Sequence, residues 1–392
     1  MNKKILNFTE SNLSVVSEKS YDATDDNIIS VGYGFKRIGD LVTNEKSLIF
    51  GVKQKKKLDE LNEDEIIPAY VSVDGQVIQT DVVEMAEVTT MVNCGGDFYA
   101  WQSSPPPNQG LIRPIEGGSS AINYTEMAGY ACTLGFLAKD NYDGAVVGIS
   151  NVHCAATEPF APVNPTLYNG VYVTNQIVQP SETAQPELDG VAFLKRISFL
   201  KPSSSNQADV AVYSLNKDFV QSTYKQVGLS SINNDLPFAT CSELADLLKT
   251  DPYLYSSGRT TGPKGEGDIK LKINRINTTI QVGYYGDQNP KIIKFTDVIG
   301  FIAVPSSEVA KGRPYSIQCD WPIKGGDSGS CLIADINGEK KIIGLVFAGS
   351  IQNGICKEGF ACNIQSVALA ANIRSLASES GPVSPSPSTV FV

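Results

Sequence analysis

The sequence predicts a mainly β protein with a small N-terminal α/β unit, and three observations carry that prediction. From about Ala121 to Arg374, short apolar runs are separated by Gly, Asn and Asp turns, the spacing of a barrel or sandwich rather than of alternating βα units. From Asn27 to about Met85 the pattern is strand, helix, strand. The 392 residues, 42% hydrophobic and 19% charged, suffice for two to three compact units and exclude wholesale disorder.

Taken in order, residues 1–27 are polar and aperiodic and read as a disordered lead-in. Residues 28–94 form the small N-terminal α/β domain. Within it Ile28–Gly34 and Ser47–Val52 are strands, Lys57–Glu65 is a short charged helix stopped by Pro68, and Val71–Ile78 is a hairpin turning at Asp74-Gly75. Residues 95–120, rich in Gly, Pro and Ser, form a linker or strap. The span 121–377 holds the β domain, with one short surface helix at Cys241–Lys249 and a hairpin turning at Asn337-Gly338. Residues 378–392, with three prolines among serines, read as a disordered tail.

Charge and cysteine usage exclude several functions. Lys plus Arg number 32 against 42 for Asp plus Glu, a net charge of −10, so a basic footprint for nucleic acid or an anionic membrane is missing. The densest basic run, Lys53–Lys57, is followed at once by Asp59, Glu60, Glu63, Asp64 and Glu65 and reads as a solvated face. No run approaches the ~18 apolar residues of a membrane span. Asn7, Thr9 and Glu10 interrupt any signal-like apolar stretch, so a cytoplasmic location is expected. Eight cysteines without a CxxC pair, and a single histidine, argue against zinc, and no metal or cofactor is expected.

The string Gly325-Gly326-Asp327-Ser328-Gly329-Ser330 carries the chemistry. A serine hydroxyl is a weak nucleophile until a base takes its proton and amides stabilise the oxyanion. Flanking glycines let the Gly326 and Ser328 N–H groups converge on one oxygen. The same residue types also make ordinary surface turns, so context decides. His153, the only histidine, follows the strand Ala145–Ile149 and is the one candidate base. Asp209 leads the apolar strand Val210–Leu215, where a carboxylate can accept the imidazole Nδ1–H. The order His, Asp, Ser is that of one of the known triad arrangements. The hairpin after Ser328 returns through Ile342–Gly349, whose edge can pair with an extended peptide, so Phe347, Ala348 and Gly349 are expected to line a substrate cleft.

These stretches resemble trypsin-like serine proteases: His153-Cys154, Asp209-Val210-Ala211 and Gly326–Ser330. More closely, the chain resembles the trypsin-fold family of the plant Narrow leaf protein and its bacterial relatives. The likeness rests on Val31–Val83, Leu111–Gly118, Cys132–Phe136, Ser257–Gly262, Gly326–Ser330 and Gly344–Ser350. It implies a chymotrypsin-like double β-barrel, two six-stranded barrels with the site between them, and a serine endopeptidase with triad His153, Asp209 and Ser328 and oxyanion amides Gly326 and Ser328. Pro322 stands where trypsin has its acid, which removes the reason for a strict Lys or Arg preference. Cys132 and Cys154 lie where secreted relatives have a disulfide, but in a reducing cytoplasm two buried thiols are expected. Arg259 reads as a structural residue at an interdomain turn.

The expected function is therefore a serine endopeptidase acting on protein or peptide substrates. The rival is a protease-fold scaffold that binds peptides with little turnover unless activated. No activation-type amino terminus precedes the barrels, so control falls to the N-terminal unit, an activating protein partner or homo-oligomerisation.

Overall fold

The computed structural model describes residues 27–63, 65–73, 76–90, 107–123, 131–156, 167–168, 171–172, 176–180, 190–220, 225–284, 291–316, 322–352 and 354–378. The lead-in, the Asp74-Gly75 turn, the first part of the strap and the tail beyond 378 lie outside the described residues.

Two six-stranded barrels follow directly from the strand pairings. The first uses Ser119–Asn123, the run Cys132–Asp140, Val146–Ser150, Ala211–Leu215, Gly190–Ile197 and Gln176–Val178. Cys132–Leu134 pairs with Ser119–Ala121, while Phe136–Lys139 pairs with Val146–Ile149. Only Gly135 separates the two halves of that run, so one continuous segment joins both edges and closes the sheet. Gly135 has little alternative: a Cβ there would strike the carbonyl oxygen of Gly329 in the serine loop.

The second barrel runs Leu254–Gly258, Cys331–Ile336, Glu339–Gln352, Ile355–Asn363, Lys291–Pro305 and Ile269–Tyr284, and closes where Leu254 pairs with Leu271. Phe295, Phe301, Phe347 and Phe360 are buried in its strands, none of them exposed. Asn337 and Gly338 both adopt positive φ, +55° and +84°, the geometry a two-residue hairpin requires. The fold is thus the expected mainly β double barrel. No helix among the described residues is long and apolar enough to cross a membrane.

The N-terminal strands Ile28–Ile38, Leu41–Val52, Gln76–Glu84 and Tyr70–Val73 add to the second barrel's sheet through Ile269–Tyr284. They keep a small core of their own, built on Ile28, Val31, Leu48, Phe50 and Val52. The charged helix expected over Lys57–Glu65 is only the single 3-10 turn Leu58–Glu60, with no buried residue. The run has only Leu58 and Leu61 as apolar positions, too narrow a face to hold a helix, and isolated short helices are marginal in water. At Cys241–Lys249 the helix does form, as Cys241–Ala245 and Leu247–Thr250. Thr240 caps it in a box with Glu243, and Leu244, Leu247 and Leu248 are buried.

The cysteines require a correction. Cys132 and Cys154 are joined in a disulfide rather than left as two thiols. Closing the first barrel brings their Cα atoms to 5.9 Å, inside the range a disulfide spans. Cys356 and Cys362 are both buried on one strand and form no disulfide.

A buried ionic cluster ties the N-terminal strands to the second barrel. Glu358 accepts from Arg275 Nε at 2.8 Å, Arg275 Nη2 at 2.6 Å and Arg37 Nη2 at 3.2 Å. Burial pushes the Glu358 carboxyl up, but Arg275 and Arg37 outweigh it and hold it below the usual carboxylate value. Glu358→Gln leaves two buried guanidiniums uncompensated and is expected to cost about 3 kcal/mol in urea unfolding; a loss under 1 kcal/mol shows that the cluster holds nothing together.

Candidate active site

His153 sits in the one-turn helix Val152–Ala155 that follows Val146–Ser150. A ring on so short an element needs an external hold, and Asp209 supplies it. The Asp209 carboxylate is fully buried and accepts at Oδ1 from the Val152 amide at 2.6 Å and, at 3.4 Å, from the His153 amide. At Oδ2 it meets His153 Nδ1 at 2.5 Å and accepts from the Tyr284 hydroxyl at 2.6 Å. Asn151 closes the same corner by donating from Nδ2 to the Asp209 carbonyl at 2.7 Å. His153 Nε2, on the far side of the ring, is buried and makes no hydrogen bond.

Tyr284 escaped the sequence reading. It lies at the end of Ile269–Tyr284 in the second barrel, so it reaches Asp209 across the interface between barrels. Its ring meets His153 edge-on, with centroids 5.9 Å apart. Burial, and then the Asp209 charge, push its hydroxyl well above the ordinary tyrosine value, so it stays a donor. Cys362 is a second neighbour that carried no sequence signal: its sulfur accepts from the Asp209 amide at 3.4 Å, and burial with the Asp209 charge keeps the thiol protonated.

Ser328 lies on the turn entering Cys331–Ile336, and three groups fix that turn. Asp327 is fully buried and turns inward. It accepts from the Thr260 amide at 2.8 Å and the Thr261 amide at 3.0 Å through Oδ1, and from the Lys324 amide at 2.8 Å through Oδ2. Thr133, from the first barrel, donates its hydroxyl to the Gly326 carbonyl at 2.9 Å and its amide to the Ser328 carbonyl at 2.8 Å. Gly326 and Gly329 hold φ of +94° and +91°, and a Cβ at Gly329 would collide with the Thr133 carbonyl and Ser150 Oγ. The Gly258–Gly262 string therefore works through its backbone. The Arg259 amide donates to Thr133 Oγ1 at 2.9 Å, and its side chain bonds Thr260 Oγ1, in keeping with a structural arginine at an interdomain turn.

Among the described residues, neither the Gly326 nor the Ser328 amide is used in an internal backbone hydrogen bond. The structure joins His153 to Asp209 but not to Ser328: Ser328 Oγ donates to the Phe347 carbonyl at 3.4 Å and has no exposed surface. Of the expected cleft residues, Phe347 packs its ring against Phe295 at 4.8 Å inside the barrel and offers only its carbonyl. Ala348 and Gly349 are paired with the chain's own Thr90 and Thr89. Pro322 is buried, while Cys319, Asp320 and Trp321 lie outside the described residues.

Cys132, His153 and Cys154 cluster closely, but both sulfurs are committed to the disulfide, so the group offers no thiolates to a metal.

No family model and no curated protein matches the chain. Among solved structures it is similar to a glutamic acid-specific serine protease, with 13% identity over 67% of this chain and 100% of that one and a TM-score of 0.40. It is likewise similar to Thermobifida fusca protease A, with 12% identity over 67% and 99% and a TM-score of 0.39. A third is Nocardiopsis protease, with 15% identity over 67% and 98% and a TM-score of 0.35.

An Asn at position 327 offers one acceptor oxygen and sets an NH2 group against backbone donors. Asp327→Asn is expected to cost about 2 kcal/mol in urea unfolding with the strand content retained, and unchanged stability means that Asp327 does not organise the turn.

Proposed function

We propose that the chain is a serine endopeptidase with His153, Asp209 and Ser328 as its triad, related to the Narrow leaf type of trypsin-fold protein. The observation that supports this most is the 2.5 Å contact between His153 Nδ1 and Asp209 Oδ2, which orients the ring with Nε2 unspent. In the reaction Ser328 Oγ leaves the Phe347 carbonyl, gives its proton to His153 Nε2 and bonds to the substrate carbonyl carbon. The Gly326 and Ser328 amides stabilise the oxyanion, and the proton on His153 passes to the leaving amine as the peptide bond breaks. Water then hydrolyses the acyl-enzyme by the same route in reverse. Asp209 orients the imidazole, and Tyr284 positions Asp209. The substrate is an extended peptide lying along Ala348 and Gly349, with Pro322 near the specificity pocket.

A second reading, a peptide-binding scaffold that turns over only with an activating partner, is favoured by one observation. Ser328 is wholly buried, with its hydroxyl bonded to Phe347.

A small alkyl fluorophosphonate, followed by intact mass, separates the two. One adduct is expected on wild type, at least a thousandfold slower labelling in Ser328→Ala and His153→Ala, and about tenfold slower labelling in Tyr284→Phe through loss of one bond to a buried carboxylate. A folded wild type that takes no adduct leaves the scaffold.

We place the protein in the cytoplasm, and the state of Cys132 and Cys154 bears on that placement. The Cys132–Cys154 bond is expected to be closed in the native protein, so alkylation of protein drawn from its own cells counts the pair as thiols only after reduction. A pair that alkylates without reduction means that the compartment holds the bond open.

A further inference from the structure

The edge that an extended peptide needs is already occupied, and the occupant belongs to this chain. Along one edge of Glu339–Gln352 the partners change in sequence. Residues 339–345 pair with Cys331–Ile336. Val346 then exchanges backbone hydrogen bonds with the serine loop, accepting from the Gly329 amide and donating to the Ser330 carbonyl, both at 2.9 Å. The Phe347 carbonyl receives the Ser328 hydroxyl. From there Ala348, Gly349 and Ser350 pair antiparallel with Thr90, Thr89 and Val88.

The short strand Val88–Thr90 is therefore the direct continuation of the serine loop along that edge. Its direction matters too. Being antiparallel, it runs from N to C toward Phe347 and Ser328, as the acyl side of a peptide substrate must if its last carbonyl is to reach the nucleophile. The segment is held from both sides: Thr89 also pairs with Gly283, next to Tyr284. Ser350 Oγ donates to the Ala86 carbonyl at 3.2 Å and the Ile351 amide to the Glu87 carbonyl at 3.4 Å. Val88, Thr89 and Thr90 are 1%, 9% and 4% exposed, and Ser328 is 0% exposed.

We propose that Val88–Thr90 is a built-in inhibitory strand that fills the peptide-binding edge of the candidate protease site, so that the resting chain is closed to peptides until this strand is displaced. The inference deepens the endopeptidase reading and rests on it for its consequence, though the strand's occupancy can be tested without chemistry. Only Met85–Glu87 separate the segment from the strand ending at Glu84. A tether that short gives an effective concentration of about millimolar, so a peptide near 10 µM competes at roughly a hundredfold disadvantage.

The test uses the full chain and the variant Thr89→Pro, which removes a backbone donor and breaks the pairing, with Thr89→Ala keeping the donor. Acetyl-Val-Thr-Thr carrying an alanine diphenyl phosphonate is expected to label wild type and Thr89→Ala slowly and Thr89→Pro at least tenfold faster. The small fluorophosphonate, which needs no strand edge, changes by less than threefold. In a Ser328→Ala background, fluorescein-labelled Ala-Glu-Val-Thr-Thr amide is expected to raise anisotropy saturably with Thr89→Pro and not without it. Should Thr89→Pro not fold by circular dichroism, the double variant Thr89→Gly, Thr90→Gly weakens the strand while keeping every amide and is expected to show the same direction. Equal peptidyl labelling and equal peptide binding across the folded variants overturn the inhibitory strand and leave the protease reading standing. Peptide binding in the opened variant with no labelling by either phosphonate sustains the strand's occupancy and defeats the protease reading.

Discussion

Everything at the site depends on the buried carboxylate of Asp209. A full negative charge without solvent contact is tolerable only when it is well supplied with donors, and here the supply comes from both barrels. The Val152 and His153 amides and the imidazole come from the first, the Tyr284 hydroxyl from the second. One residue thereby fixes the turn that carries His153, the orientation of its ring, and the position of the first barrel against the second. Separating the barrels would strand that charge, so the interface and the site share one electrostatic anchor.

The serine loop is held on a different principle. Asp327 is also buried, but its donors are three backbone amides, two from Thr260 and Thr261 and one from Lys324. Burial still pushes its carboxyl above the usual carboxylate range against those three amides. The loop's shape is thus set by chain that is already in place. Asp327 and Thr133 fix the serine loop, and the neighbouring strand edge is covered by Val88–Thr90.

How much of this was legible in the sequence follows from the range of each interaction. His153, Asp209 and Ser328 stand out in the sequence through their order along the chain and the Gly326–Ser330 string, and the structure joins the first two. The Asn337-Gly338 turn is local, since positive φ at two successive positions selects those residues. Tyr284 was invisible because its role exists only once two barrels meet, and a tyrosine at a strand end looks like any other. The strand Val88–Thr90 was invisible for another reason. It acts through backbone hydrogen bonds, which leave no side-chain signature, and Val-Thr-Thr is an ordinary β sequence. Lys57–Glu65 forms only one 3-10 turn because a charge pattern with just Leu58 and Leu61 among it gives a helix too little apolar face to bury. The expectation of two free thiols at Cys132 and Cys154 rested on compartment, and the 5.9 Å Cα separation imposed by barrel closure overrode it.

The protease and scaffold readings are less opposed than they look, because they share one geometry and the same covered strand edge. A peptide that pairs with Ala348–Ser350 better than Val88–Thr90 does would take the strand's place beside Phe347, and no polar contact of Asp209 or Asp327 described above comes from that strand. Pairing at that edge is backbone chemistry and tolerates many sequences, so discrimination falls to side chains flanking it. The tether works in the same direction: by keeping a competitor at high local concentration, it admits only ligands that hold more than the bare strand edge. A closed resting site with a prearranged serine loop is therefore a way of placing selectivity at entry, before the chemical step.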